Sequence, residues 1–74
     1  MSIVSSTKKK ILDEIRSNPT HGYEISKKLG IPISSVYEHL KELREHGLIE
    51  YEQSGRRNVY RLTEKGKLLL KALK

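Results

Sequence analysis

Residues 22–49 read GYEISKKLGIPISSVYEHLKELREHGLI, and the spacing of apolar residues within them decides the architecture. Ile25 and Leu29 lie one turn apart, so Gly22 to Leu29 is expected as a short amphipathic helix stopped by Gly30. Ile31-Pro32 turns the chain, and a longer helix runs from Pro32 or Ile33 to His46, where Gly47 ends it. At about 100° per residue, Val36, Leu40 and Leu43 fall within a narrow arc. Ser34, Glu38, Lys41 and Glu45 occupy the opposite arc. One face of this helix is core, and the other is presented to something polar.

Upstream, Ile11, Leu12 and Ile15 recur at helical spacing, which predicts a first helix over Ser6 to Ser17. Ser5, Ser6 and Thr7 offer N-cap oxygens, and Asn18-Pro19 ends the helix because proline pushes its predecessor out of the α region. Ile3 and Val4 are free to staple back onto the first turn or to reach a partner subunit. Thr20-His21 can add a short extra strand before the second helix, and His21 reads as a strand or cap residue.

Downstream of Gly47 the period changes to two. Ile49 and Tyr51 alternate with Glu50 and Glu52, and Tyr60 and Leu62 flank Arg61. Gln53 to Asn58 is turn chemistry, so the segment is expected as a hairpin carrying Arg56 and Arg57 at its tip. Thr63 then caps a last helix containing Leu68, Leu69, Leu70 and Leu73. The expected fold is mainly α with a small antiparallel β hairpin, in the order α-α-α-β-β-α: a winged helix-turn-helix.

Seventy-four residues make one domain, residues 1–74, near the lower size limit for an unstapled core. With 35% hydrophobic residues and neither Phe nor Trp, the core must come from Leu, Ile and Val with Tyr at its margin. So thin a core favours association, and residues 62–74 are the expected dimer contact. The net charge is +6 and unevenly spread, with clusters at Lys8 to Lys10, at Arg56, Arg57 and Arg61, and along the last helix. Clustered positive charge favours a polyanionic partner such as nucleic acid, although a solvated Lys-rich surface reads the same by charge alone. There is no Cys, which excludes disulfides and thiolate metal sites and fits a cytoplasmic protein. No apolar run is long enough for a signal peptide or membrane span.

The residues that carry a family resemblance are His21-Gly22-Tyr23-Glu24-Ile25, Ser35-Val36-Tyr37, Leu40 to Leu43 and Gly47-Leu48-Ile49. Gly55-Arg56 and Tyr60-Arg61-Leu62-Thr63-Glu64-Lys65-Gly66 complete the set. Together, over about residues 10–70, they resemble PadR-type transcriptional regulators. The Gly-Leu-Ile and Leu-Thr-Glu-Lys-Gly pieces are also similar to the MarR and ArsR families. Two features depart from the pattern. Glu38 stands where those families often carry proline or a basic residue, and a single short helix follows the hairpin where PadR proteins continue into a longer dimerising region.

The resemblance implies that the first turns of the third helix enter a major groove, here Ile33, Ser34, Ser35, Tyr37, Glu38 and Lys41. Ser34 and Ser35 suit a base edge or a phosphate, and equally ordinary helix-start chemistry. Tyr37 flanks the core arc and can bond a phosphate or lie on a thymine methyl, while Lys41 suits a phosphate. Glu38 can accept from a cytosine amino group or repel phosphates and prune wrong registers. Arg56, Arg57 and Asn58 form the wing, suited to a minor groove or backbone, with a solvated turn as the plainer alternative.

His39, Glu42 and His46 share a helix face, but lack the further ligand a metal site needs, so no metal or cofactor is expected. No nucleophile is paired with a base, and there is no phosphate-cradling glycine loop, which argues against an enzyme. The reading is a homodimeric, sequence-specific double-stranded DNA-binding regulator, a repressor that occludes a promoter. A winged helix used as a protein-interaction module is the alternative. Single-stranded nucleic acid is disfavoured, because stacking needs clustered exposed aromatics.

Overall fold

The computed structural model describes residues 6–73. Its elements are α1 (Ser6–Ser17), α2 (Gly22–Leu29), α3 (Ile33–Glu45), β1 (Ile49–Ser54), β2 (Arg57–Leu62) and α4 (Glu64–Ala72). This is the expected winged helix-turn-helix order. Ser5, Ile3 and Val4, invoked above as cap and staple, lie outside the described residues.

The helix ends follow from local chemistry. His21 caps α2, its Nδ1 accepting the Glu24 amide at 3.3 Å. After α3 the Gly47 amide donates to the Arg44 carbonyl and the Leu48 amide to the Leu43 carbonyl, a Schellman closure. Lys65 Nζ donates to the His46 carbonyl at 2.8 Å, which places a cation at the negative end of α3. Thr63 caps α4 as expected: its Oγ1 accepts the Gly66 amide at 3.1 Å and donates to the Gly47 carbonyl at 2.6 Å.

β1 and β2 pair antiparallel, with Ile49 opposite Leu62, Tyr51 opposite Tyr60 and Ser54 opposite Arg57. The turn is therefore only Gly55-Arg56, shorter than the Gln53–Asn58 turn read from composition. Gly55 at φ 63° takes the first position of a two-residue turn, which a type II′ hairpin gives to glycine, and the ladder then persists to the tip. Arg57 and Asn58 consequently belong to β2 instead of the turn. Thr20 forms an isolated bridge with Tyr60, its amide donating at 3.2 Å and its carbonyl accepting at 2.7 Å. That bridge is the short extra strand before α2.

The core gathers Ile11, Leu12 and Ile15 of α1, Ile25 of α2, Val36, Leu40 and Leu43 of α3, then Leu48, Ile49, Tyr60, Leu62 and Leu70. Two expectations about apolar residues change. Tyr51 is 44% exposed, because the hairpin projects past the core after Ile49. Its ring is covered by the Arg44 guanidinium, 4.8 Å from the centroid, and by Tyr60 at 5.7 Å. Leu70, expected in the dimer contact of residues 62–74, is consumed by the core, leaving Leu68 of α4 and Leu73 at its C-cap as the exposed leucines of this segment.

Candidate nucleic-acid interface

The surface that matters is where the N-terminal end of α2, the start of α3 and the wing converge. Pro32 occupies the N-cap of α3 without a side-chain cap bond, so the helix opens on Ile33, Ser34 and Ser35 with no acid in its first turn. The helix-start role weighed for the two serines is thus not an N-cap role. Ser34 is exposed and Ser35 half-buried. Ile33 and Tyr37, one turn apart, are 41% and 48% exposed, giving the first turns an apolar face beside two hydroxyls.

Tyr37 is held as well as displayed. Its ring lies against Gly22 so closely that a Cβ there would sit 2.7 Å from the Tyr37 ring. Close α2–α3 packing thus fixes the ring's direction, and only glycine at position 22 leaves space for it. Tyr37 meets Arg56, Arg57 and Asn58 at a cleft of about 330 Å³ whose remaining walls are His21 and Tyr23. Four sequence-predicted residues from two distant segments therefore share one cleft.

Glu38 and Lys41 face elsewhere. They line a separate open depression of about 380 Å³ with His39, Glu42 and Glu45. Glu42 is held by Lys8 of α1 at 3.1 Å, so part of the N-terminal lysine cluster is neutralised by the protein's own acid. His39 Nδ1 stands 3.9 Å from Glu42, and among the described residues no group of acids and histidines has metal-binding geometry. Lys41 also borders a shallow groove with Tyr37, Leu40, Arg44 and Tyr60. The outer face of α3 is therefore divided: uncharged at its start, acidic along one later flank and basic along the other.

The wing is divided too. Arg56 is at the turn, whereas Arg57 reaches back so that its Nη1 stands 3.1 Å from His21 Nε2. Arg61, counted above with the same basic cluster, is tied to Glu52 at 3.1 Å. Residues that the sequence reading did not assign to the interface are His21, Tyr23 and Arg44. Tyr23 stacks on His21, ring centroids 6.4 Å apart and 18° between planes, with Lys27 Nζ 6.0 Å above the Tyr23 ring. The signal for His21 was the possible Thr20-His21 strand, but only its register against Tyr60 brings His21 to the wing.

The sequence profile of the Transcriptional regulator PadR-like family matches residues 11–72. A search of curated proteins finds no significant match. Among solved structures, a cysteine-to-serine mutant of ZitR from Lactococcus lactis superposes with a TM-score of 0.91 at 28% identity, over 99% of this chain and 52% of that one. FabT from Streptococcus pneumoniae, solved in complex with DNA, gives 0.88 at 27% identity, over 96% and 52%. The adhesin competence repressor of Streptococcus pyogenes shares the fold, with 0.91 at 19% identity, over 96% and 54%. The chain spans about half the length of these matched structures.

Proposed function

The chain belongs to the Transcriptional regulator PadR-like family, and on that premise we propose that it binds double-stranded DNA sequence-specifically as a homodimeric repressor. In this reading residues 1–74 act as one DNA-binding domain in the cytoplasm, and the C-terminal helix contributes to the dimer. The start of α3 enters the major groove, with Ser34, Ser35 and Tyr37 at base edges or phosphates, and the wing lies on the backbone or minor groove. The observation that carries the reading is the cleft where Tyr37 meets Arg56, Arg57 and Asn58, whose described lining residues include no carboxylate. The similarity to FabT, which was solved on DNA, supports the same ligand.

The division of α3 sharpens the approach. Glu42 and Glu45 would repel phosphates on their flank, so the duplex meets the N-terminal end of α3 first, as recognition helices commonly do. Glu38 then sits at the border of the contact, able to meet a cytosine amino group or to exclude wrong registers. Lys41 and Arg44 face the backbone beyond it.

Selection of bound fragments from random DNA, followed by affinity measurements at several salt concentrations, tests this. Converting Arg56 and Arg57 to Ala should weaken specific and non-specific binding by similar factors. It should also flatten log affinity against log salt by about one unit per lost phosphate contact, up to roughly two per subunit. An unchanged slope removes the wing from the DNA. Failure to select or retain any duplex at moderate salt favours the protein-interaction alternative, for which the acidic flank of α3 would offer the surface.

A further inference from the structure

His21 is placed between two hydrogen-bond donors. Its Nδ1 faces the Glu24 backbone amide at 3.3 Å, and its Nε2 faces the Arg57 guanidinium at 3.1 Å. A neutral imidazole has one lone pair to offer and one N–H; an imidazolium has none and two; a guanidinium only donates. In neither protonation state can the ring accept from both partners. With Nδ1 kept as the cap of α2, the Nε2–H points at Arg57, and two donors face each other without an acceptor. Such a pair is satisfied by an acceptor with several lone pairs lying beside them, within reach of both.

The surroundings say which acceptor. The cleft at this pair is lined by His21, Tyr23, Tyr37, Arg56, Arg57 and Asn58, which supply two guanidinium groups, two phenol hydroxyls and an amide. No carboxylate is among these lining residues, so the donors have no acidic partner there. Neutral ligands would leave the arginine charges unanswered, and a carboxylate would leave several donors over. A tetrahedral phosphate offers oxygens in more than one direction, and charge-assisted bonds to it are the strong kind.

We infer that His21 and Arg57 together form a phosphate clamp, which holds one backbone phosphodiester of the bound duplex between α2 and the wing. This assignment rests on the DNA-binding reading above and adds a contact from α2 to it. Because Thr20 is bridged to Tyr60 by two backbone hydrogen bonds, the segment before α2 and the wing are already tied together, and the two donors meet the phosphate at a set spacing.

The experiment is a scan of the selected duplex with single neutral methylphosphonates, using the wild-type protein, His21→Asn, Arg57→Ala and the double variant. Asparagine is itself a good N-cap, so His21→Asn keeps α2 capped while removing the second ring nitrogen. Thermal unfolding of each variant checks that it is folded. One methylphosphonate position per half-site should weaken the wild type about tenfold or more, as expected for a hydrogen-bonded charged contact. Each single variant should weaken binding to the natural duplex by a similar factor and be insensitive to that position. The double variant should be little worse than either, because the two donors share one phosphate.

In parallel, inorganic phosphate is titrated into the DNA-free protein while the His21 ring signals are followed by NMR, with chloride at matched ionic strength as the reference. Wild-type affinity in His21→Asn with no position silenced overturns the clamp on DNA. A saturable phosphate shift alongside that result assigns the site to free phosphate. If the wild type binds no duplex, the DNA-binding reading fails by itself, and the titration decides whether the oxyanion site stands. Absence of both effects removes it altogether.

Discussion

Gly66 shows how much one missing carbon decides. It lies in the first turns of α4, directly over the Leu48 backbone, and a Cβ there would overlap the Leu48 carbonyl oxygen. That carbonyl accepts the Thr63 amide and cannot move without breaking the start of α4. Gly66→Ala should gain helix propensity of about 1 kcal/mol, yet lose about 3 kcal/mol through overpacking against backbone, a net loss of about 2 kcal/mol. Urea unfolding should show it; unaltered stability means α4 is not seated on Leu48. Tyr60 supplies a second residue-scale expectation. Burial pushes its phenol above the ordinary 10.0, partly offset by the Asn58 side chain. The raised group holds its proton longer in the native state, so between the unfolded and folded values the native state binds more protons. Stability is therefore complete below about pH 10 and falls as pH rises through the folded pKa. Tyr60→Phe should lose that part of the decline between about pH 9 and 11, measured by urea unfolding against wild type. Parallel curves for the two proteins over this range refute it.

At the scale of elements, the helices were legible because their ends are local chemistry. Gly30, Gly47, Thr63 and Asn18-Pro19 are cap and breaker signals that act within a few residues: α1 and α2 end, and α4 begins, at the residue next to its signal, and α3 ends at Glu45, two residues before Gly47. The wing was legible as a hairpin but not in its detail. Composition marked Gln53 to Asn58 as turn-forming, whereas pairing tightens the turn to Gly55-Arg56, and no local signal says where a ladder stops. Nor does alternation reveal that β1 leaves the core after Ile49, since that depends on where the helices end. Of the candidate site, Tyr37 was recognisable from its place beside the core arc. The separation of Glu38 and Lys41 from the cleft was not, because it depends on where the wing folds back against α3, and the wing meets the Tyr37 side of that helix. The α2–α3 pair now makes its own prediction. Tyr37→Ala should alter which base pair is preferred, at a cost of about 1–3 kcal/mol. Gly22→Ala keeps the ring but forces it away from α2, so it should disturb the same base position. Competition binding against single-base-pair variants of the selected site reads both. If preference and affinity survive in Tyr37→Ala, the ring is only packing on Gly22.

For the whole molecule, the question is what covers α4. Gly66 and Leu70 point inward, and the outer side then presents Leu68, Ala72, Leu69 and Leu73 within an arc of about 140° at helical spacing. Leu68 is 65% exposed and Leu73 37%, whereas Leu69 is only half-buried by its own chain. A domain with a core this small gains most by burying such a strip against a second copy, since association adds apolar area that folding alone cannot supply. The described residues extend the molecule to 34 × 23 × 21 Å, so its long dimension is comparable to one turn of B-DNA, about 34–36 Å. In the proposed dimer, two copies related by a two-fold axis through α4 would present their α3 helices to successive major grooves on one side of a duplex. Selected sites should accordingly be inverted repeats with centres roughly 10 bp apart. Light scattering should give a dimer, and replacing both Leu68 and Leu73 by Glu should give a folded monomer that binds a half-site weakly and loses the preference for paired half-sites. A wild-type monomer at micromolar concentration bound to a non-palindromic site would sink the dimer and leave the α4 strip to another partner. A dimer unaffected by the double substitution would move the interface away from α4.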